Sequence, residues 1–435
     1  MAHNKIITGI DVGTDKCVTL IASVNEDQSL QVVGVSAVPS RGMKKSQIID
    51  LEKVLETITE SLDGAERMAG LEVKTAYVSV SGSHIKSQNS TGVVAVATPN
   101  QEITNSDVER VIEAARAISL SSDREIIHVI PKDYKVDSQD GIKDPVGMTG
   151  VRLESEAHII TGMSTALRNL EKCIQDLGIT VNDFVFSGIS SAGVVLSETE
   201  KELGVAVVDI GAGSTSICAY VEGSLEYSGS LPIGARHITQ DIALGCRVSI
   251  DTAEKIKVDL SNKKIRPLTP HAGESKADFS RRKKQQDDIK VSDYDNSDTD
   301  EVLSHKTITE GIMLPRMQEI FGLVGDLLKE QGLLKDIPAG VVICGGGALT
   351  LHIAEVAKRE LNLPARVGEP TKLDGLVKDI HSPLYANVIG LLYYGLNHGQ
   401  PDSVSNFSIG SVFSGFGSIG KLPEKVGSLF KSLLP

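Results

Sequence analysis

Apolar positions along the chain fall into short β-branched runs alternating with stretches of helical spacing. KIITGIDVGTDKCVTLIASV (5–24) predicts two strands around a Gly-Thr turn, and LEKVLETITESLDGAERMAG (51–70) a helix that Gly70 stops. VKTAYVSVSG (73–82) reads as a further strand. From about Ser87 to Gly162 the texture shifts to short strands, one helix over Ser106 to Ala117, and a loop-rich stretch, VDSQDGIKDPVGMTGVRLE (136–154). A helix over Ser164 to Leu177 and a strand FVFSGIS (184–190) follow. The sharpest strand lies in GVAVVDIGAGSTSICAYVEG (204–223), whose unbroken apolar run up to Asp209 is expected of a strand buried on both faces. One helical segment is predicted over ITQDIALGCRVSIDTAEKIKVDL (238–260) and a long helix over KTITEGIMLPRMQEIFGLVGDLLKEQG (306–332), then the strand of GVVICGGGALT (340–350) and another helix. Between the two helical segments, residues 261–300 are polar and mixed in charge, with RRKK at 281–284 and DYDNSDTDE from 293, and predict an exposed excursion.

Composition narrows the function classes. The chain has 435 residues, 40% hydrophobic and 23% charged, enough to bury more than one core. Its 57 acidic against 44 basic residues give a net charge of −13, which argues against a protein built to coat nucleic acid. Aromatics are 4% and tryptophan is absent, so base-stacking platforms are not expected. Cys17, Cys173, Cys218, Cys246 and Cys344 lie far apart with no CxxC pair, which predicts neither a metal framework nor a disulfide ladder and fits a reducing cytoplasm. No run of eighteen apolar residues suggests a bilayer span, and the first residues lack an apolar stretch of signal-peptide length.

Three segments share one design, an apolar strand followed by a glycine turn bearing carboxylates or hydroxyls: GIDVGTDK (9–16), VVDIGAGSTS (207–216) and VICGGGALT (342–350). Glycine lets backbone N–H groups approach an anion, and the hydroxyls of Thr14, Ser214 or Thr215 complete a phosphate cradle. Asp11 and Asp209 each end a buried strand, where a carboxylate has no packing role; two such groups facing a polyphosphate would hold a hydrated Mg²⁺. None of the turns fits the Walker or GxGxxG patterns. Two DxG turns about 200 residues apart, with a later GGG, instead imply a duplicated α/β core.

That order resembles the actin-like ATPase superfamily, and within it the FtsA family of bacterial cell-division proteins. VDSQDGIKDPVGMTGVRLESEAHIITG (136–162) is similar to that family's own inserted subdomain, and KELGVAVVDIGAGSTSICAY, PIGARHITQDIA and SPLYANVIGLLYY resemble it too, so the likeness runs from about Lys5 to Gly395. The resemblance implies an α/β, actin-like (ribonuclease H-like) two-lobed fold. It would comprise a first core subdomain of residues 1–85, 163–195 and 376–396, an inserted subdomain of 86–162, a second core of 196–233 and 308–375, and a subdomain of 234–307 with the polar insertion. ATP with Mg²⁺ would sit between the lobes. Asp11, Gly13, Thr14 and Lys16, with Asp209, Gly211, Gly213, Ser214 and Thr215, would hold its phosphates. Glu254 and Lys257, on DTAEKIK, would hold the nucleoside with Gly345, Gly346 and Gly347, and Asp11 and Asp209 would hold Mg²⁺ through water.

The C-terminus has a different texture. Eleven of the 24 positions from Asn397 to Gly420 are Ser or Gly, a linker with a coil reach of about 27 Å. In KLPEKVGSLFKSLLP (421–435), Leu422, Val426, Leu429, Phe430, Leu433 and Leu434 fall within an arc of about 140° on a helical wheel. Lys421, Lys425 and Lys431 lie off the stripe against Glu424 alone. Twelve helical residues span about 18 Å, so such a helix lies in a membrane interface and does not cross it. A membrane-binding surface of Leu422, Lys425, Val426, Leu429, Phe430, Lys431, Leu433 and Leu434 follows.

By resemblance the protein would polymerise, sit on the cytoplasmic face of the membrane at the division site, and take the C-terminal peptide of the tubulin-like FtsZ on 234–307, with His305, Lys306 and Arg316 as candidates for a basic docking surface. It would also meet other division proteins. FSGISSAGVV (186–195) lacks the carboxylate that active relatives place before the second phosphate turn, so ATP turnover is expected to be weak or absent. A small-molecule kinase or phosphatase of the same superfamily would need that base; a pilus-assembly-type actin homologue is the other alternative.

Overall fold

A computed structural model describes residues 5–97, 102–262, 269–271, 273–295, 302–370, 373–375 and 378–398. The expected linker from 399 onward, the helix at 421–435 with its eight membrane-facing candidates, and parts of the 261–300 excursion lie outside the described residues.

Two sheets repeat one topology. In the first, the antiparallel strands Leu30–Pro39, Lys16–Val24 and Ile6–Val12 are extended by the parallel strands Thr75–Val80 and Thr180–Phe186, with the short Asp374–Gly375 at the far edge. In the second, the antiparallel Ser224–Leu231, Thr215–Val221 and Val205–Ile210 are extended by the parallel Val341–Cys344 and Ala365–Val367. Alternate residues of the central second-lobe strand serve different cores. Val205 and Val207 join the apolar cluster of the first lobe, while Ala206, Val208 and Ile210 join that of the second. The unbroken apolar run is thus a strand with two buried faces.

Between the sheets lies the Ser187–Val195 helix, packed against the Ala386–His398 helix and the second sheet. Its contact with Ala386–His398 is close enough that a Cβ on Gly390 would overlap the backbone of Ser190. The Leu51–Ala69 helix covers the first sheet; the Asp50 carboxylate caps its start by accepting from the Lys53 N–H, and Gly70 ends it with a left-handed φ of 68°.

A third sheet, ordered Lys86–Ala95, Arg152–Met163, Arg124–Val136 and Gln139–Ile142, carries the Asn105–Arg116 helix on one face. It has its own core of Ile103, Val108, Val111, Ile112, Tyr134 and Leu153 with their neighbours. Its outer surface meets the second-lobe strand Ser224–Leu231.

Several elements differ from the sequence expectation. FVFSGIS is strand only to Phe186, and Ser187 already begins a helix. The segment 238–260 is two helices, Ala235–Cys246 and Ile250–Asn262, because Arg247 takes a left-handed φ of 55° that no glycine signals. The long helix opens with a π-helical stretch, Thr307–Met313, before the regular Leu314–Glu330, and the change of pitch falls beside Pro315, which has no N–H to give the preceding turn. Inside the polar excursion, Lys276–Asp287 is a helix with no buried residue. The final helix continues through His398, past the expected start of the linker at Asn397.

Candidate functional site

Both DxG turns are closed the same way. The Gly13 N–H donates to the Lys16 carbonyl (3.0 Å), and the Gly211 N–H to the Ser214 carbonyl (2.9 Å). Asp11 pairs across its hairpin with Val18, and Asp209 with Ser216, so the two carboxylates hold equivalent places in the two lobes. The turns meet around a cleft of about 390 Å³.

Asp11, Gly13, Thr14 and Lys16 line it from the first lobe. Asp209, Gly211, Gly213 and Ser214 line it from the second, together with Glu254, Lys257 and Gly345 to Gly347. Thr215 does not. It pairs with Ile210, is fully buried, and donates its hydroxyl to the Ile233 carbonyl at 2.8 Å. Strand alternation turns Ser214 and Ser216 to the cleft and Thr215 away from it.

At the floor of the cleft the two carboxylates meet a poorly hydrated environment. Burial raises the Asp11 carboxyl, opposed by hydrogen bonds from Ser79 and Asn387. Burial, then the charge of Asp11, pushes Asp209 up to about 7, against the hydrogen bond that Ser191 Oγ donates to Oδ2 at 3.0 Å. Two acidic groups that disfavour each other's ionisation are relieved by a bound cation. The close approach that Gly345 makes here excludes any side chain: its φ is 80°, and a Cβ would overlap Asp209 Oδ1.

On the second-lobe wall Lys257 Nζ lies 2.8 Å from Glu254 Oε2 and donates to Thr239 Oγ1 at 2.9 Å, while Thr239 donates to the same Glu254 oxygen at 2.5 Å. Burial alone would raise the Glu254 carboxyl, but the charge of Lys257 and these hydrogen bonds hold it low. Half-exposed Ile250, Val258 and Leu349 border the same wall and supply apolar surface for a planar base. Residues that local motifs do not reveal complete the site: Ser46, Ser79, Ser191, Thr239 and Asn387 come from other elements, and no local pattern marks them as ligands.

The basic docking candidates on 234–307 and its margin part company. Arg316 is engaged, with Nε 2.5 Å and Nη2 2.9 Å from the Asp241 carboxylate and a further pair to Glu319, a packing salt bridge within the second lobe. Lys306 is exposed, 3.6 Å from Glu310. His305 engages neighbouring groups. The helix Ser187–Val195 brings no carboxylate to the cleft; Ser187 lines it and Ser191 serves Asp209.

Comparison with known proteins places this architecture. Residues 82–161 match the family model described as the SHS2 domain inserted in FtsA, and residues 206–390 the model described as cell division protein FtsA. The chain is 37% identical over 410 residues to the cell division protein FtsA of Pseudomonas aeruginosa, covering 94% of each chain. It is 33% identical over 398 residues to that of Escherichia coli, covering 90% of each. Among solved structures it is similar to a chain of the PilM-PilN type IV pilus biogenesis complex, with a TM-score of 0.60 and 14% identity, covering 90% of this chain and 98% of that one, a likeness of fold alone.

Proposed function

Because the chain belongs to the FtsA family of cell division proteins, an actin homologue carrying that family's inserted domain, we propose that its cleft binds ATP with Mg²⁺ and that the protein polymerises and tethers FtsZ to the cytoplasmic membrane. The observation that carries the nucleotide reading is the pair Asp11 and Asp209, two carboxylates at equivalent places in the duplicated lobes whose mutual repulsion a dication relieves. The residues fit the group: hydroxyls of Thr14 and Ser214 stand at the turn tips, glycines at 13, 211 and 213 leave room for phosphate and those at 345 to 347 for the nucleoside, and Glu254 with Lys257 offers an acceptor and a donor to a ribose. When bound, the cation neutralises phosphate charge. The chain's own groups bind and orient the nucleotide, and no carboxylate on the Ser187–Val195 helix is placed to take a proton from water. ATP then acts as a structural ligand between the lobes, with turnover weak or absent.

The membrane part of the proposal rests on the stripe and lysines of 421–435. One such helix binds reversibly, and a row of them on a polymer binds far more tightly because linked sites act together. Liposome co-sedimentation with Mg²⁺-ATP and FtsZ tests the whole reading. The full chain should pellet and carry FtsZ with it, and a chain ending at Gly420 should leave both in solution. Equal pelleting of the two chains would remove the tether.

A further inference from the structure

One side chain outside every glycine motif joins the two phosphate turns. Ser46 stands at the tip of a small first-lobe hairpin, Met43–Lys44 paired with Gln47–Ile48. Its backbone N–H donates to Thr14 Oγ1 at 2.9 Å, and its hydroxyl lies 2.7 Å from that of Ser214 in the second lobe. The junction is tight: a Cβ on Gly213 would stand 2.6 Å from Thr14 Oγ1 and 2.9 Å from Lys45 Cα. Lys45 and Ser46 both hold positive φ, 49° and 59°, the pair of left-handed residues that a two-residue hairpin turn demands, usually of Asn and Gly.

We propose that Ser46 is a contact residue for the terminal phosphate of the bound nucleotide and sets the preference for a triphosphate over a diphosphate; this rests on the ATP reading of the cleft. Three observations point to it. First, the hydrogen count leaves donors over. Thr14 Oγ1 accepts from Ser46, and its own hydrogen meets no protein acceptor among the described residues. Of the two hydroxyl hydrogens on Ser46 and Ser214, one fills the bond between them and the other is spare. O–H donors that converge from both lobes on one point of the cleft are placed to meet an anionic acceptor. Second, Ser46 and Ser81 line both the main cleft and a neighbouring cavity of about 170 Å³, so the hairpin tip is the partition between them and an end wall of the cleft. Third, Glu254 and Lys257, which face the nucleoside, border only the main cleft and not this partition, so the phosphate farthest from the nucleoside is the one that reaches Ser46.

The test is calorimetric titration of the full chain with Mg²⁺-ATP and with Mg²⁺-ADP, for the wild type, Ser46→Ala and Ser46→Gly. Ser46→Gly relieves the positive φ while removing the hydroxyl, so its fold is secure, and equal melting temperatures without nucleotide check both variants. Loss of a charge-assisted hydrogen bond should weaken ATP about tenfold. ADP affinity should stay within about twofold, since its shorter phosphate chain does not need the bond. An unchanged ATP to ADP ratio in both variants overturns the assignment, as does equal weakening of the two nucleotides. A wild-type chain that takes up neither nucleotide overturns the ATP reading itself and Ser46's role with it.

Discussion

His158 and Ser228 tie the inserted sheet to the second lobe: the imidazole Nδ1–H donates to Asn89 Oδ1 at 2.7 Å, which leaves Nε2 to accept from the Ser228 hydroxyl at 3.0 Å. Around this buried pair, Ser87 Oγ donates to the Ser228 carbonyl (2.6 Å), and the buried Lys132 ammonium lies 2.7 Å from Glu226 and 3.3 Å from Glu156. Ser228 belongs to the strand that pairs with Thr215–Val221, whose first residue follows the phosphate turn at Ser214. The inserted domain therefore grips the lobe that carries half of the nucleotide site, through an imidazole that burial keeps neutral.

That neutrality sets a pH dependence. Burial, reinforced by the charge of Lys132, lowers His158 to about 3, so its folded pKa lies below the ordinary value of 6.5. The unfolded chain then binds the proton more readily, and stability present above pH 6.5 is lost as pH falls toward 3. At pH 5 the loss from this group is about 2 kcal/mol. Urea midpoints at pH 7 and pH 5 should show a larger drop for the wild type than for His158→Gln, which keeps a polar group but cannot titrate. Equal drops would mean that His158 is not held neutral.

Asp209 has the opposite sign. Its carboxyl is raised from 3.8 to about 7, by burial first and then by Asp11, so the folded chain holds the proton more tightly than the unfolded one. Nucleotide-free stability is therefore eroded as pH rises from 4 to 7. Asp209→Asn removes that cost and should stabilise the nucleotide-free protein at pH 8 by about 2–4 kcal/mol, with the difference vanishing near pH 4. With saturating Mg²⁺-ATP the order should reverse, because only the wild type gains binding energy from the cation. Thermal melting at the two pH values, with and without nucleotide, reads both effects; an Asn variant no more stable at pH 8 contradicts the burial argument.

What could be read from the chain beforehand follows from how local each signal is. Two glycine turns were legible because a strand end, a carboxylate and the glycines sit within ten residues, the third because its GGG follows an apolar strand, and the repeat of DxG announced the duplicated lobes. Thr215 reads as a phosphate ligand from its hydroxyl alone, but the hairpin register pairs it with Ile210 and faces it inward. Ser46, Ser191 and Asn387 were not legible at all: each is an ordinary polar residue until the fold sets it beside Thr14, Asp209 or Asp11. The break at Arg247 was hidden because an arginine takes the left-handed C-cap conformation where glycine would have marked it.

Gly345 and its neighbour Gly346 offer the sharpest contrast between a required and a dispensable glycine. Gly345 has φ of 80°, its N–H donates to the Pro383 carbonyl at 3.0 Å, and a Cβ would overlap Asp209 Oδ1 while standing 2.7 Å from the Ile210 carbonyl oxygen. Gly346 carries no left-handed φ, and its nearest neighbour would be Leu384 Cδ1 at 3.8 Å. An alanine at 345 must adopt a left-handed backbone and displace a buried carboxylate held by Ser191, at a combined cost of about 2–4 kcal/mol. An alanine at 346 meets only ordinary van der Waals contact and should change stability by about 0.5 kcal/mol or less. Gly345→Ala should also weaken Mg²⁺-ATP, because the displaced carboxylate is the one assigned to the cation, whereas Gly346→Ala, which leaves Asp209 in place, should weaken it less. Melting temperatures and nucleotide titrations of the two variants decide it: similar losses at both positions would mean that the packing of Gly345 on Asp209 does not hold the site in shape.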